Sequence, residues 1–232
     1  MGKVYFVSGI DTGVGKTMAT GMMARFLRKA GQTVMTVKLV QTGCHGFSED
    51  LDMHRKLMKC PPFPEDKEGL TAPAIFDFPA SPHFAAARER RQVDVEAIVH
   101  AIRQVSERNG ITLTEGAGGL AVPLTEELLT VDLAARESWE AILVCSGKLG
   151  SLNHAILSLE ALKARNMKLA GVVYNYCPEA DAEIEADTER MLGKYLERYG
   201  FGKRIVRLGR VDPEHPEESD TDFSAIFREI RP

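Results

Sequence analysis

The segment GIDTGVGKT, residues 9–17, decides how the rest of the chain is read. It follows an apolar run at 4–8 and precedes a helix-period stretch at 17–29, so it joins a strand to a helix. Glycines let successive backbone N–H groups turn inward as an anion nest, and the helix that follows adds the positive end of its dipole. Asp11, Thr12, Gly13, Val14, Gly15, Lys16 and Thr17 therefore form a candidate phosphate cradle. Lys16 would reach the β- and γ-phosphates of a nucleotide, and the Thr17 hydroxyl would hold magnesium. Five residues separate Gly9 from Gly15, where the usual phosphate loop has four.

Working outward, short apolar runs rich in β-branched residues lie at 4–8, 33–40, 111–115, 141–146, 169–175 and 204–208. They lack polar alternation, which suits strands buried on both faces of a parallel sheet. Helix-period stretches at 17–29, 95–108, 152–164 and 180–199 separate them, and Gly31 supplies a stop after the first. Alternation of this kind predicts an α/β fold: a doubly wound, mostly parallel sheet of P-loop NTPase type with helices on both faces. The 232 residues (1–232) are expected to form one domain. Prolines crowd residues 60–82, which predicts an ordered excursion over the strand tips, anchored by Ile75, Phe76 and Phe78. The acidic stretch at 212–222 is expected to be exposed.

Composition narrows the partners. The formal charge of −4 gives no general reason to bind nucleic acid or an anionic membrane. No apolar run approaches the roughly 18 residues that cross a bilayer. The N-terminus reads straight into a strand, and Phe6 stands where a myristoylation signal wants Ser or Thr. Cys44, Cys60, Cys145 and Cys177 are widely spaced, and Cys145 and Cys177 read as buried thiols. A cytoplasmic protein is expected.

Ligands of a doubly wound sheet sit beyond the carboxyl ends of its strands. Lys38 ends the second strand and is expected to be a further cation near the γ-phosphate. Glu115 ends the third, suits magnesium, and is followed by Gly116, Ala117 and Gly118, which allow close backbone approach. Asp50 and Asp52 open a helix-like run, and spacing alone does not choose between them as metal ligands. The turn at 146–155 exposes N–H groups suited to a carboxylate, with Asn153 as the alternative capping residue. His154 reads as structural.

These segments resemble the dethiobiotin synthetase family. The loop is similar to that family's G-T-D-T-x-V-G-K-T, including the long glycine spacing. VKLVQTG at 37–43, SPH at 81–83, EGAGG at 115–119, KLGSLNHA at 148–155 and the Asn175 strand tip match in order. The resemblance implies a reaction that joins 7,8-diaminopelargonate, CO2 and ATP into the cyclic urea dethiobiotin. A carbamate forms first, then a carbamic–phosphoric anhydride, and no covalent enzyme intermediate is needed. It also implies catalytic roles for Lys16, Lys38 and Thr12 and substrate contacts for Thr12 and Thr42. Asp50 rather than Asp52 would join Thr17 and Glu115 around magnesium, and Asn175 would read the adenine edge. Gly150, Ser151, Leu152 and Asn153 of a neighbouring subunit would bind the far carboxylate, making a homodimer. Gly13, Leu39 and the stretch LGRVDPE at 208–214 depart from the family pattern, the last at the adenine contacts.

Three other readings are open to the same loop. Partition-type ATPases carry a second lysine five positions before the phosphate lysine, where this chain has Asp11. Amidoligases append a glutamine-hydrolysing domain that this chain is not expected to contain. A substrate-shifted paralogue would keep the nucleotide site, and Lys38, Thr42 and the 150–153 turn argue against it.

Overall fold

The computed structural model describes residues 2–176 and 180–228. Its central sheet has six parallel strands in the order β2-β5-β1-β6-β7-β8. These are β1 (Lys3–Gly9), β2 (Val34–Lys38), β5 (Ile111–Gly119), β6 (Glu140–Ser146), β7 (Leu169–Asn175) and β8 (Ile205–Leu208). Strands β2, β6 and β7 are buried almost throughout, which is why their sequences do not alternate. From β1 the chain crosses to β2 at one edge and then returns across the sheet through β5 to β8. Right-handed crossovers in opposite directions place α1 (Lys16–Lys29) on one face and α5 (Val95–Arg108) and α7 (Ser151–Ala164) on the other. The loop after β1 therefore lies where the winding reverses, the position at which such sheets bind ligands.

Local chemistry sets the element ends. Asp94 caps α5 by accepting from the Ala97 amide at 2.9 Å, and Ile98, Val99, Ile102 and Val105 bury one helix face. Gly31 takes φ 76° and ends α1 by donating its amide to Arg28 O. Ser48 caps α2 (Glu49–Leu57), with its hydroxyl accepting from Leu51 N.

Three stretches carry more structure than their sequences suggest. The third strand does not stop at Glu115 but runs on to Gly119. Its pairing with β1 jumps from Val7↔Glu115 to Gly9↔Gly119, so residues 116–118 bulge out. A Cβ at Gly116 would lie 3.1 Å from the Phe6 ring, a tight contact that glycine avoids.

The proline-rich excursion carries more regular structure than its prolines suggest. It holds α3 (Pro64–Lys67) and β4 (Ile75–Phe76), and β4 pairs in parallel with β3 (Gln41–Thr42). Phe76 is buried and Ile75 half-buried, but Phe78 is exposed against Phe84 on α4 (Pro82–Arg88) and anchors nothing in the core. Arg55 ties the excursion to α2 through Asp66, at 2.8 and 2.7 Å, and reaches Thr36 Oγ1 at 2.6 Å.

The acidic stretch at 212–222 is exposed at its charged residues, as expected. Beyond it Phe223, Ile226 and Phe227 are buried; Phe223 meets Phe26 and Phe227 meets Tyr5 edge-on. Asp220 pairs with Arg25 at 3.1 Å and with Lys29, fixing the tail across α1. Cys44 and Cys145 are buried free thiols, and burial pushes the Cys145 thiol well above the usual range. Cys177 lies outside the described residues. Among the described residues no helix is long and apolar enough to cross a membrane.

Candidate active site

The loop after β1 needs glycine at three positions. Gly13 and Gly15 sit at φ 73° and 86°, where a side chain is strained. A Cβ at Gly9 would lie 2.6 Å from Val14 Cγ2 and 2.8 Å from Asp11 O. Val14 is buried and plugs the loop, while Asp11, Thr12 and Gly13 are exposed at its mouth. Asp11 accepts from the Thr12 amide at 2.7 Å, which holds the turn. Gly15 caps α1 with no side-chain bond, so the first amides of the helix face the loop's interior. Lys16 is buried, and its Nζ reaches back to Asp11 O at 3.1 Å. Burial lowers its pKa below the lysine range against the opposing pull of Glu115.

Beside the loop, sheet register builds an ion cluster. Lys38 and Glu115 are partners across β2 and β5, so their side chains emerge abreast on one face. Lys38 Nζ lies 2.8 Å from Glu115 Oε1, 2.5 Å from Asp50 Oδ2 and 3.2 Å from Gly116 O. Three acceptors occupy its three protons, and it does not snorkel to solvent. Thr17 Oγ1 is 2.7 Å from Asp50 Oδ1 and 3.2 Å from Glu115 Oε1. Burial works against charging both Lys38 and Glu115, and each outweighs it for the other. The Lys38 pKa is raised, chiefly by Glu115 and then Asp50; the Glu115 carboxyl is held well below the usual range by Lys38 and then His54.

Of the two acids opening α2, Asp50 turns toward Thr17 and Lys38, whereas Asp52, two residues on, is exposed. His54 was not expected from the sequence. One turn after Asp50, it is fully buried with Nε2 2.9 Å from Glu115 Oε2. The i,i+4 spacing of Asp50 and His54 was the available signal.

The converging donors are two carboxylates and a hydroxyl, all hard oxygens. They fit a small divalent cation that shares its shell with phosphate oxygens and water. Among the described residues no cluster of three His, Cys, Asp or Glu side chains could hold a metal by itself. A cavity of about 380 Å³ is lined by Thr12, Lys16, Lys38, Thr42, Glu115 and Gly118. Gln41, which accepts from the Ser48 hydroxyl at 2.7 Å, also lines it and was not expected.

A second cavity of about 360 Å³ opens beside Asn175, lined by Met18, Tyr176, Gly209, Arg210 and Val211. Asn175 donates to Val14 O at 3.0 Å and so ties the β7 tip to the phosphate loop. Gly150, Ser151, Leu152 and Asn153 do not line the phosphate cavity. Gly150 caps α7 at φ 93° without a side-chain bond, so Asn153 is not the capping residue; Asn153 and Leu149 are exposed. His154 is half-exposed rather than packed, with Nδ1 3.6 Å from Asp11 Oδ2.

A family model described as an AAA domain matches residues 3–219. The ATP-dependent dethiobiotin synthetase BioD 2 of Pasteurella multocida is 45% identical over 199 residues, covering 86% of this chain and 93% of that protein. The chain belongs to the dethiobiotin synthetase family. Another family member, the ATP-dependent dethiobiotin synthetase BioD of Wolinella succinogenes, is 35% identical over 228 residues, covering 97% of this chain and 100% of its own. Among solved structures, a ParA family ATPase from Chlorobium tepidum superposes with a TM-score of 0.55 at 14% identity, over 99% of this chain and 93% of that one. At that identity the likeness shows the fold that the synthetase family shares with such ATPases, and no more.

Proposed function

We propose that this chain is an ATP-dependent cyclo-ligase that closes 7,8-diaminopelargonate and CO2 into dethiobiotin, releasing ADP and phosphate. The observation that carries the reading is the Lys38–Glu115–Asp50–Thr17 cluster, buried at Lys38 and Glu115, set against the phosphate loop. One amine of the diamine adds to CO2, losing a proton and giving a carbamate. A carbamate oxygen attacks the γ-phosphorus and ADP leaves, forming the mixed anhydride. The second amine attacks the carbonyl carbon, loses a proton and expels phosphate as the ring closes. Each step asks for alignment and charge neutralisation rather than a covalent enzyme bond.

Lys16 and the loop amides hold the β- and γ-phosphates. Lys38 flanks the carbamate and the phosphoryl group, and Thr12 and Thr42 position the reacting end of the diamine. Thr17, Asp50 and Glu115 would hold Mg2+, which neutralises phosphate charge when bound. The loop amides with Glu115, Gly116, Ala117 and Gly118 line the nucleotide, and Asn175 reads the base.

The active assembly in this reading is a homodimer. Gly150, Ser151, Leu152 and Asn153 of the partner subunit take the far carboxylate of the substrate. The start of α7, which has no side-chain cap and does not line its own chain's phosphate cavity, supports this division. Residues 1–232 act as one ligase domain in the cytoplasm, where ATP is at hand.

Purified protein with ATP, magnesium and bicarbonate, assayed with and without the diamine, tests the reaction. ADP release that depends on diamine, with equimolar dethiobiotin by mass spectrometry, is expected. Diamine-independent ADP release without dethiobiotin would overturn the assignment.

A further inference from the structure

The two oxygens of Glu115 face different parts of the molecule. Oε1 meets Lys38 Nζ at 2.8 Å and Thr17 Oγ1 at 3.2 Å, on the side of the phosphate loop. Among the described residues Oε2 meets only His54 Nε2, at 2.9 Å, on the side of α2. The ring of His54 is fully buried, and its Nδ1 is buried with no hydrogen-bond partner among the described residues. An ionised carboxylate only accepts, so the ring proton sits on Nε2 and is donated to Oε2. A histidine kept solely for packing is a poor choice here: an apolar side chain would fill the volume without leaving a buried nitrogen unsatisfied. The single bond that His54 does make is therefore the reason to look for its role at Glu115.

We propose that His54 is a positioning residue that holds Glu115 with Oε2 turned away, so that only Oε1 faces the cation site. This rests on the assignment of Glu115 as a magnesium ligand made above. Its consequence is selectivity. Calcium takes six to eight oxygens and readily accepts both oxygens of one carboxylate, whereas magnesium demands a compact octahedron of single oxygens. A carboxylate whose second oxygen is tied to a histidine can offer only one. His54 thus favours Mg2+ or Mn2+ over Ca2+ without touching either.

The test measures Mn2+ binding by electron paramagnetic resonance, with full-length protein and a non-hydrolysable ATP analogue, and titrates Mg2+ and Ca2+ as competitors. His54→Leu is expected to weaken Mn2+ binding about tenfold, within the range seen when residues behind a metal ligand are removed. It should also make Ca2+ at least about threefold better as a competitor relative to Mg2+. His54→Gln, whose amide nitrogen reaches where Nε2 stands, should restore both values. Unchanged Mn2+ affinity and unchanged Mg2+/Ca2+ ratio in a folded His54→Leu would overturn the proposal. If that variant does not fold, His54→Gln and His54→Asn decide instead. Asn is too short to reach Oε2, so equal binding by the two would also overturn it. Wild-type binding that is insensitive to Glu115→Gln would sink the ligand assignment beneath it. Normal Glu115 dependence without His54 dependence would sink the proposal alone.

Discussion

Helices α1 and α7 begin in the same way and face different surroundings. Each is capped by a left-handed glycine, Gly15 at φ 86° and Gly150 at φ 93°, with no side-chain cap and no acid in the first turn. Each therefore presents amides and a positive dipole end to an anion, although in α7 the Ser151 amide already donates to Lys148 O at 2.9 Å. Around α1 the sheet register adds Lys38 and Glu115, and α2 adds Asp50, so that turn suits polyphosphate with a cation. Around α7 Leu149 and Asn153 stand exposed, and nothing lies within 4 Å of a Cβ built on Gly150. The backbone supplies an affinity for anions in both places, and the side chains decide which anion. In the function proposed above, the second turn takes the lone carboxylate of a substrate held by a neighbour.

The largest effect is expected where charge is concentrated. Lys38→Met should lower turnover at least about 1000-fold, since electrostatic stabilisation of the transition state is lost. Nucleotide binding should change less than about threefold because the loop amides remain. Single-turnover ADP formation and a nucleotide titration separate the two. Equal losses in both would merge Lys38 with the general binding role of the loop and blur the contrast between the turns.

The first turn is also braced from below. Arg55 is buried and paired with Asp66, holding α2 against the excursion. Asp66→Asn strands that charge and should cost about 3 kcal/mol at pH 7 in urea unfolding. Burial alone would raise the Asp66 pKa, but Arg55 outweighs it and holds the carboxyl below its ordinary range. A depressed folded pKa stabilises fully above the unfolded value of about 3.9 and is lost as pH falls through the folded one. The gap between wild type and variant should therefore close in acid, and a gap that persists at pH 2 would contradict the ion-pair account.

Glycine substitutions compare the caps directly. At Gly15 a Cβ would sit 1.9 Å from Asn175 Nδ2, so Gly15→Ala displaces the contact with Val14 as well as straining the backbone. Its KM for ATP should rise about tenfold. Gly150→Ala meets no atom and should cost only the left-handed penalty of about 1 kcal/mol, with KM for ATP unchanged. Asn153→Ala, the smallest expected effect, should raise KM for the diamine a few-fold to about tenfold while leaving KM for ATP alone.

The first of these turns was legible in the sequence because its residues are contiguous. Lys38 and Glu115 were legible too, since strand tips carry the ligands of a doubly wound sheet. Asp50 and Asp52 could not be told apart by spacing, and the orientation of α2 separates them. His54 was missed because its partner lies 61 residues away, beyond any local pattern. The β3–β4 pair was hidden by the prolines around it, and Phe223, Ile226 and Phe227 by the acidic stretch before them. In each missed case the deciding contact is long-range, and local periodicity carries no trace of it.

The division of one site between two turns from two copies is tested most directly by mixing variants. Lys38→Met and Asn153→Ala, each poor alone at limiting diamine, are unfolded together, refolded and assayed for dethiobiotin. Half of the randomly formed dimers carry one intact site, made from the Asn153→Ala subunit's loop and the Lys38→Met subunit's turn, so about a quarter of wild-type activity should return. Activity no higher than the average of the separate variants would contradict the account.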